Sequence, residues 1–353
     1  MNWKLDDVPS LKGKTVIVTG GSSGLGFEAV KMFASKDAEI VIATRSEKRA
    51  LEAIEIVKSE YKNADITFLH LNLANKESIR DFAENVTEKY NKIDILLNNA
   101  GVMTTPYMLT DDGIEFQQGI NHFGHFYLTS LLIDTIVKTP NSRIVNVSSI
   151  AHRFGKMDFA NLLYQRPKSY NKSRAYGRSK LENLLFTYEL DRRVKNKGYD
   201  TKVLVAHPGV ASTNLGRHIK QQKFTNGIIN VFQKLFSHTA HDGALSLVRA
   251  CLDENAQGGD FYGPNRMAGM KGMPHNAKSN KLTANAQTSP AHGNTNLPNS
   301  KAGLNLIERM VEQTEVAVAD ADLCLFVVDF KAGVLAQDVH FSKWLQRLGK
   351  PTI

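Results

Sequence analysis

Thr15-Val-Ile-Val-Thr19 runs directly into Gly20-Gly-Ser-Ser-Gly-Leu-Gly26, and an apolar-periodic stretch, Phe27–Phe33, follows. Five consecutive β-branched residues closed by glycines read as a short strand buried on both faces. The glycine-rich turn then opens a helix. Runs of the same kind recur at Glu39–Thr44, Ile66–Leu71, Ile93–Asn98, Arg143–Ser148 and Lys202–His207, with helical periodicity between them, as in Ser78–Tyr90 and Leu181–Val194. This alternation predicts an α/β chain. Parallel neighbours need crossover connections, so the expected architecture is a doubly wound, Rossmann-type parallel sheet with helices on both faces.

Composition narrows the class. The chain has 353 residues, of which 42% are hydrophobic, enough for a large core. Its net charge of +9 comes from scattered Lys and Arg with no run of five or six, which argues for a solvated surface and against a nucleic-acid partner. The two cysteines, Cys251 and Cys324, sit among apolar neighbours and read as reduced, buried thiols. Met1 to Gly13 is too polar for a leader, and no apolar run approaches the roughly 18 residues of a membrane span. A cytoplasmic protein is expected.

Ligands of doubly wound sheets bind outside the carboxyl ends of the strands, and the first such end carries the glycines. There a tight turn and a helix N-terminus offer free N–H groups to a pyrophosphate. Gly20, Ser22, Ser23, Gly24, Leu25 and Gly26 form that expected cradle. The second strand ends at Thr44-Arg45 with no carboxylate to hold ribose hydroxyls. Arg45 suits a 2′-phosphate instead, so NADP(H) is expected over NAD(H). The third strand leads to Asn72 and Leu73, where a side-chain amide can meet adenine.

Asn98-Asn-Ala-Gly101 ends the fourth strand, and Tyr176-Gly-Arg-Ser-Lys180 lies on a later helix. With Thr19–Gly26 these match, in order and separation, the TGxxxGxG, NNAG and YxxxK motifs of short-chain dehydrogenases/reductases. The chain resembles the retinol-dehydrogenase-like branch, particularly its bacterial members, through Asn121-His-Phe-Gly-His-Phe126, Arg143–His152, His207-Pro-Gly-Val210 and Gly258–Pro264. The resemblance runs from about Trp3 to about Lys281. It implies Tyr176 as general acid/base, Lys180 as its partner, Ser149 as the carbonyl-orienting hydroxyl and Asn121 as part of a water-bearing proton relay. It places Asn99, Ala100 and Gly101 along the adenosine side of the cofactor, and Pro208, Val210 and Thr213 at the nicotinamide end. Asn72 stands where the family commonly has aspartate; both accept an adenine hydrogen bond.

These roles make chemical sense. Hydride transfer to a carbonyl carbon leaves an alkoxide that needs a proton. A phenol ordinarily titrates near 10. Four-residue spacing puts Tyr176 and Lys180 on one helix face, so the ammonium and an oxidised nicotinamide are expected to draw the phenol toward neutrality. The implied substrate is a small apolar aldehyde, ketone or alcohol. The alternative is a non-catalytic NADP(H)-binding regulatory or interaction protein, against which an intact acid–base set argues. His122 and His125 are three apart with no HExxH and no carboxylate at ligand spacing. They read as packing or pocket residues, and no metal is expected.

The organisation follows. Residues 1–282 form the dehydrogenase domain, with a lid at about 212–239. That segment mixes basic residues with Gly227–Phe236, and its less favoured reading is a membrane-surface helix. Residues 283–303, rich in Asn, Thr, Ser, Pro, Ala and Gly, read as a linker. Residues 304–353 resemble a fragment of a tandem G-domain ribosome-assembly GTPase, through Glu308–Thr314, Ala319–Phe330 and Leu345–Pro351. No GxxxxGK[ST] loop exists in the chain, so no GTP binding is expected. A homo-oligomer is compatible with all of this.

Overall fold

The computed structural model describes residues 3–157, 161, 163–164, 170–209, 239–266 and 269–277. The chain divides into two compact units, Met1–Lys156 with Leu163–Ala291, and Met157–Leu162 with His292–Ile353. The second unit lies almost wholly outside the described residues. So do the expected lid except Thr239, the linker, and the GTPase-like extension.

The first unit is built on one sheet. In chain order its elements are β1 (Thr15–Thr19), α1 (Gly24–Ala34), β2 (Glu39–Thr44), α2 (Glu47–Glu60), β3 (Asp65–His70) and α3 (Lys76–Lys89). Then come β4 (Ile95–Asn98), α4 (Gly124–Lys138), β5 (Arg143–Val147), α5 (Lys172–Asn196), β6 (Lys202–Ala206) and α6 (Ala240–Leu252). The closing pair is β7 (Phe261–Arg266) and β8 (Lys271–Asn276). The sheet order is β3-β2-β1-β4-β5-β6-β7-β8. Every pairing is parallel except β7 with β8.

The expected doubly wound sheet is therefore present. β1 and β2 have the expected bounds, while β3 begins and ends one residue early and β4 begins at Ile95. Asp94 turns its carboxylate onto the Thr15 N–H at 3.0 Å and the Lys14 ammonium at 2.8 Å. The antiparallel closing pair has no counterpart in the pattern read from sequence. Both its strands, Phe-Tyr-Gly-Pro-Asn-Arg and Lys-Gly-Met-Pro-His-Asn, carry glycine and proline, which disguise a strand.

β1 divides the core by simple alternation. Val16 and Val18 pack with α1, α2 and α6 residues such as Val30, Ala50 and Leu247. Ile17 packs on the other face with Phe82 of α3 and Leu128 of α4. The chain order reverses about β1, whose neighbours are β2 and β4, so a crevice opens beyond the carboxyl ends of β1 and β4.

A buried polar ladder ties α5 to that crevice. Asn98 Nδ2 donates to Thr129 Oγ1 at 3.0 Å and to Asn146 Oδ1 at 2.9 Å. Asn146 Nδ2 donates onward to Thr187 Oγ1 at 3.0 Å, and that hydroxyl donates to the Asn183 carbonyl at 2.7 Å. Buried polar groups are costly when a partner is removed. Asn146→Ala should therefore lower unfolding free energy by about 1–3 kcal/mol, read as a lower denaturant midpoint with an unchanged slope. A loss below half a kcal/mol would show that the ladder is not a stabilising element.

Candidate active site

The crevice begins at the glycine turn. Gly20 has φ +69°, and a Cβ there would sit 3.1 Å from Ala100 Cα. A Cβ on Gly26 would lie 2.5 Å from both the Gly20 carbonyl and Asn99 Nδ2. The turn is thus packed directly on Asn99-Ala100, as only a side-chain-free backbone allows. Ser23 precedes α1 without a side-chain capping bond, so its hydroxyl does not occupy the helix N-terminus. This open, backbone-lined turn fits the pyrophosphate of a dinucleotide.

Around it stand the other expected cofactor residues. Ser22 lines a groove of about 180 Å³ between α1 and α2 with Phe27, Arg49, Glu52, Ala53 and Ile56. Arg45 is exposed just past β2, and Arg49, not singled out from sequence, lies one helical turn on. Asn72 Oδ1 accepts from the Ala74 N–H at 3.2 Å, and Leu73 is buried. Pro208 follows His207, whose Nδ1 accepts from the Gly209 N–H at 3.2 Å. Val210 and Thr213 lie outside the described residues.

Tyr176 and Lys180 lie one turn apart on α5, both buried. Asn171 caps that helix, accepting from the Ser173 and Arg174 N–H groups at 3.1 and 3.0 Å. Ser149 caps the short turn Ile150–Phe154. That turn packs on α5 so closely that a Cβ on Gly155 would lie 2.5 Å from the Gly177 carbonyl. The contact sets the Ser149 hydroxyl beside the Tyr176 phenol. The adjacent Ser148 is spent elsewhere, donating to the Lys180 carbonyl at 2.8 Å. The Lys180 ammonium donates to the Val147 carbonyl at 3.0 Å and stands 5.9 Å from the Tyr176 ring centroid.

Asn121 occupies a π-helical turn, Gly119–Phe123. Its side chain clamps the Val102 backbone, accepting from the N–H at 2.8 Å and donating to the carbonyl at 3.0 Å. It also donates to Ser179 Oγ at 2.9 Å. A Cβ on Gly101 would lie 3.1 Å from Asn121 Oδ1 and 3.6 Å from Lys180 Nζ. Gly101, Asn121 and Lys180 therefore meet at one point.

Burial governs the electrostatics. It raises the Tyr176 phenol above its usual 10, outweighing the neighbouring Ser149 hydroxyl, which pulls the other way. Burial also pushes the Lys180 ammonium down to about 8. The protein's own groups thus do not produce the expected fall of Tyr176 toward neutrality, because desolvation disfavours both charged forms.

One polar cluster went unnoticed in the sequence. Glu115, fully buried, accepts from the Tyr170 hydroxyl at 2.9 Å and from the Gln117 and Gln118 N–H groups. Gln118 Nε2 donates to Glu182 Oε1 at 2.8 Å, and Arg178 Nε donates to the same oxygen at 3.1 Å. Tyr170 also lines a cavity of about 380 Å³ with Thr105, Pro106, Tyr107 and Ser173. Ser173 is less than one turn before Tyr176, so the cavity adjoins the helix end that carries the phenol. The spacing of Arg178 and Glu182 was visible as an i,i+4 pair, but such pairs are usually solvated; the burial was not visible.

Comparison with known proteins follows the same line. A family model described as short chain dehydrogenase matches residues 14–223. Retinol dehydrogenase 13 from Homo sapiens is 44% identical over 209 residues, 59% of this chain and 62% of that protein. The match thus spans less than two thirds of that relative. Retinol dehydrogenase 14 from Homo sapiens is 36% identical over 268 residues, 72% of this chain and 79% of that protein. Among solved structures, an uncharacterized protein from Mycobacterium Paratuberculosis superposes with a TM-score of 0.67 at 30% identity, covering 89% of this chain and 98% of that one. L-Sorbose reductase from Gluconobacter frateurii, solved with NADPH and L-sorbose, shares the fold with a TM-score of 0.56 at 20% identity, covering 71% of this chain and 95% of that one.

The two histidines of the Asn121 segment make an acid-stability prediction. His122 packs against Phe123, Phe126 and Phe186, and burial pushes it down to about 4. A histidine depressed in the folded state contributes stability above its unfolded value near 6.5 and loses it as pH falls through the folded value. Glu182, pushed up to about 7 by burial, acts in the opposite sense, so the comparison must be with a variant. His122→Phe should lose about 2 kcal/mol less than the parent between pH 7 and pH 5, measured by denaturant titration. Parallel pH profiles for the two proteins would show that the surroundings of His122 do not hold it uncharged.

Proposed function

This chain belongs to the short chain dehydrogenase family of NAD(P)-dependent oxidoreductases, and from that premise we propose that it interconverts an apolar aldehyde or ketone and the corresponding alcohol using NADP(H). The reading is carried by one observation: Ser149, Tyr176 and Lys180 are brought together, with the Lys180 ammonium beside Gly101 and next to the glycine turn. An apolar substrate accords with the names of the two retinol dehydrogenases above. It also accords with the apolar side chains of Met108, Leu109 and Phe154, which are left exposed. NADP(H) is favoured by Arg45 and by the absence of a carboxylate at the end of β2.

When bound, the nicotinamide supplies or accepts the hydride. The protein's part is proton handling and orientation. In reduction, Ser149 donates a hydrogen bond to the carbonyl oxygen and Tyr176 gives it the proton. A phenol kept protonated by burial is ready for that direction. The resulting phenolate is stabilised by Lys180, which is charged below about pH 8. Asn121 holds Val102 and Gly101 in place around the ammonium and belongs to the route by which Tyr176 regains its proton. Gly20, Ser22, Ser23, Gly24, Leu25 and Gly26 receive the pyrophosphate, Asn72, Leu73 and Asn99–Gly101 the adenosine side, and Pro208, Val210 and Thr213 the nicotinamide end. We assign this activity to residues 1–282 and no part of it to 304–353, since every residue given a role lies at or before Thr213.

Tyr176→Phe should cut turnover by about 10²–10⁴ while NADPH binding, followed by fluorescence titration, stays nearly intact. Less than a tenfold loss would remove the phenol from acid–base catalysis. Arg45→Ala should weaken NADPH binding by about 10–150-fold, the worth of a charge-assisted phosphate contact, and hardly alter NADH binding. Equal losses for both cofactors would show that Arg45 does not read the phosphate.

A further inference from the structure

His125 is 2% exposed and belongs to neither the proton set nor the cradle. Its ring lies between them. Nε2 is 2.8 Å from Thr19 Oγ1, at the carboxyl end of β1. Nδ1 is 3.1 Å from the backbone carbonyl of Asn121. That carbonyl also receives Asn183 Nδ2 at 3.0 Å.

The proton on this ring can be placed by counting. A threonine hydroxyl has two lone pairs and one hydrogen. Thr19 Oγ1 accepts from the Asn99 and Ala100 N–H groups, each at 2.9 Å, which takes both lone pairs. Its hydrogen then goes to His125 Nε2 at 2.8 Å in preference to the Leu97 carbonyl at 3.4 Å. Nε2 is therefore an acceptor, and Nδ1 carries the ring hydrogen. At the other end the Asn121 carbonyl can only accept, which demands the same tautomer. The two ends agree.

We propose that His125, locked as the Nδ1–H tautomer, is a positioning residue for proton transfer: it holds the Asn121 backbone in register with the Thr19–Ala100 cofactor loop. The proposal rests on the reading of Tyr176 and Lys180 as the proton-handling pair. Its structural logic is that Asn121 Oδ1 and the Lys180 ammonium both flank Gly101, so a shift of the Asn121–Gly101 segment disturbs the surroundings of the charge beside Tyr176. A misplacement of about 1 Å at such a site can cost about 10²-fold in rate. The bridge works only with an uncharged ring. A second ring hydrogen would face a Thr19 hydroxyl with no lone pair to give. Burial favours the uncharged form, pushing His125 down to about 3, and the nearby Lys180 charge acts the same way.

The test uses the full chain in two arms. Ring ¹⁵N NMR on histidine-labelled protein should show His125 with Nδ1 protonated and Nε2 bare from pH 8 to pH 5. The opposite tautomer, or titration near 6.5, overturns the bridge. The kinetic arm uses NADPH with all-trans-retinal as the probe carbonyl. His125→Phe keeps an aromatic ring but loses both hydrogen bonds. It should lower kcat per NADPH-binding site by about 10–100-fold, with KM for retinal within about threefold and a larger solvent deuterium isotope effect. His125→Asn, whose amide can reach the Nδ1 position and donate to the Asn121 carbonyl, should recover most of that loss. A His125→Phe protein that is merely less stable, with unchanged kcat per binding site, would show a packing role and overturn the proposal. A parent protein that binds NADPH but reduces no carbonyl would remove both the proposed function and the role in proton transfer, and the NMR arm would then judge the bridge alone.

Discussion

The Thr19 hydroxyl is the contact on which the rest of the site depends. It ends β1, an interior strand of the sheet, and takes the N–H groups of Asn99 and Ala100 beyond β4. That pins the loop after one strand to the end of its neighbour, at the place where the chain order reverses. The glycine turn then has a fixed floor, since Gly20 lies against Asn99 and Ala100 and Gly26 against Asn99. A hydroxyl suits the task because one small buried atom satisfies two backbone donors that would otherwise be left unpaired.

From that floor outward, buried hydrogen bonds replace hydrophobic contact as the means of positioning. Asn98, Asn146 and Thr187 carry the strand ends to α5. Asn183 carries α5 to the Asn121 segment and, with Lys180, to the Val147 carbonyl. Apolar packing is tolerant of small shifts, whereas a hydrogen bond fixes distance and direction. Such a lattice suits a site in which a phenol, an ammonium and a hydroxyl must meet. The cost is desolvation, visible in the raised Tyr176 and the lowered Lys180. Burial also keeps the local dielectric low, so each remaining interaction counts for more.

What the sequence by itself determined is the first six strands of the sheet and the place of the glycine turn. β-branched runs such as Thr15–Thr19 and Glu39–Thr44 are legible because strand burial depends on local composition. The glycine turn is legible because only glycine permits its backbone. Tyr176 and Lys180 share a helix face by spacing alone. What only the tertiary structure decided is how residues far apart in the chain meet. Ser149 and Tyr176 are joined by the packing of a turn on α5, and Glu115, Tyr170 and Glu182 become one buried cluster. His125 reads from sequence as a packing or pocket residue, since the partners at its two nitrogens come from the end of β1 and from a π-helical turn. The closing strands were hidden by glycine and proline, whose local preference is overridden by pairing at the edge of the sheet. Local chemistry sets the elements, but the state of a buried polar group depends on neighbours that only folding supplies.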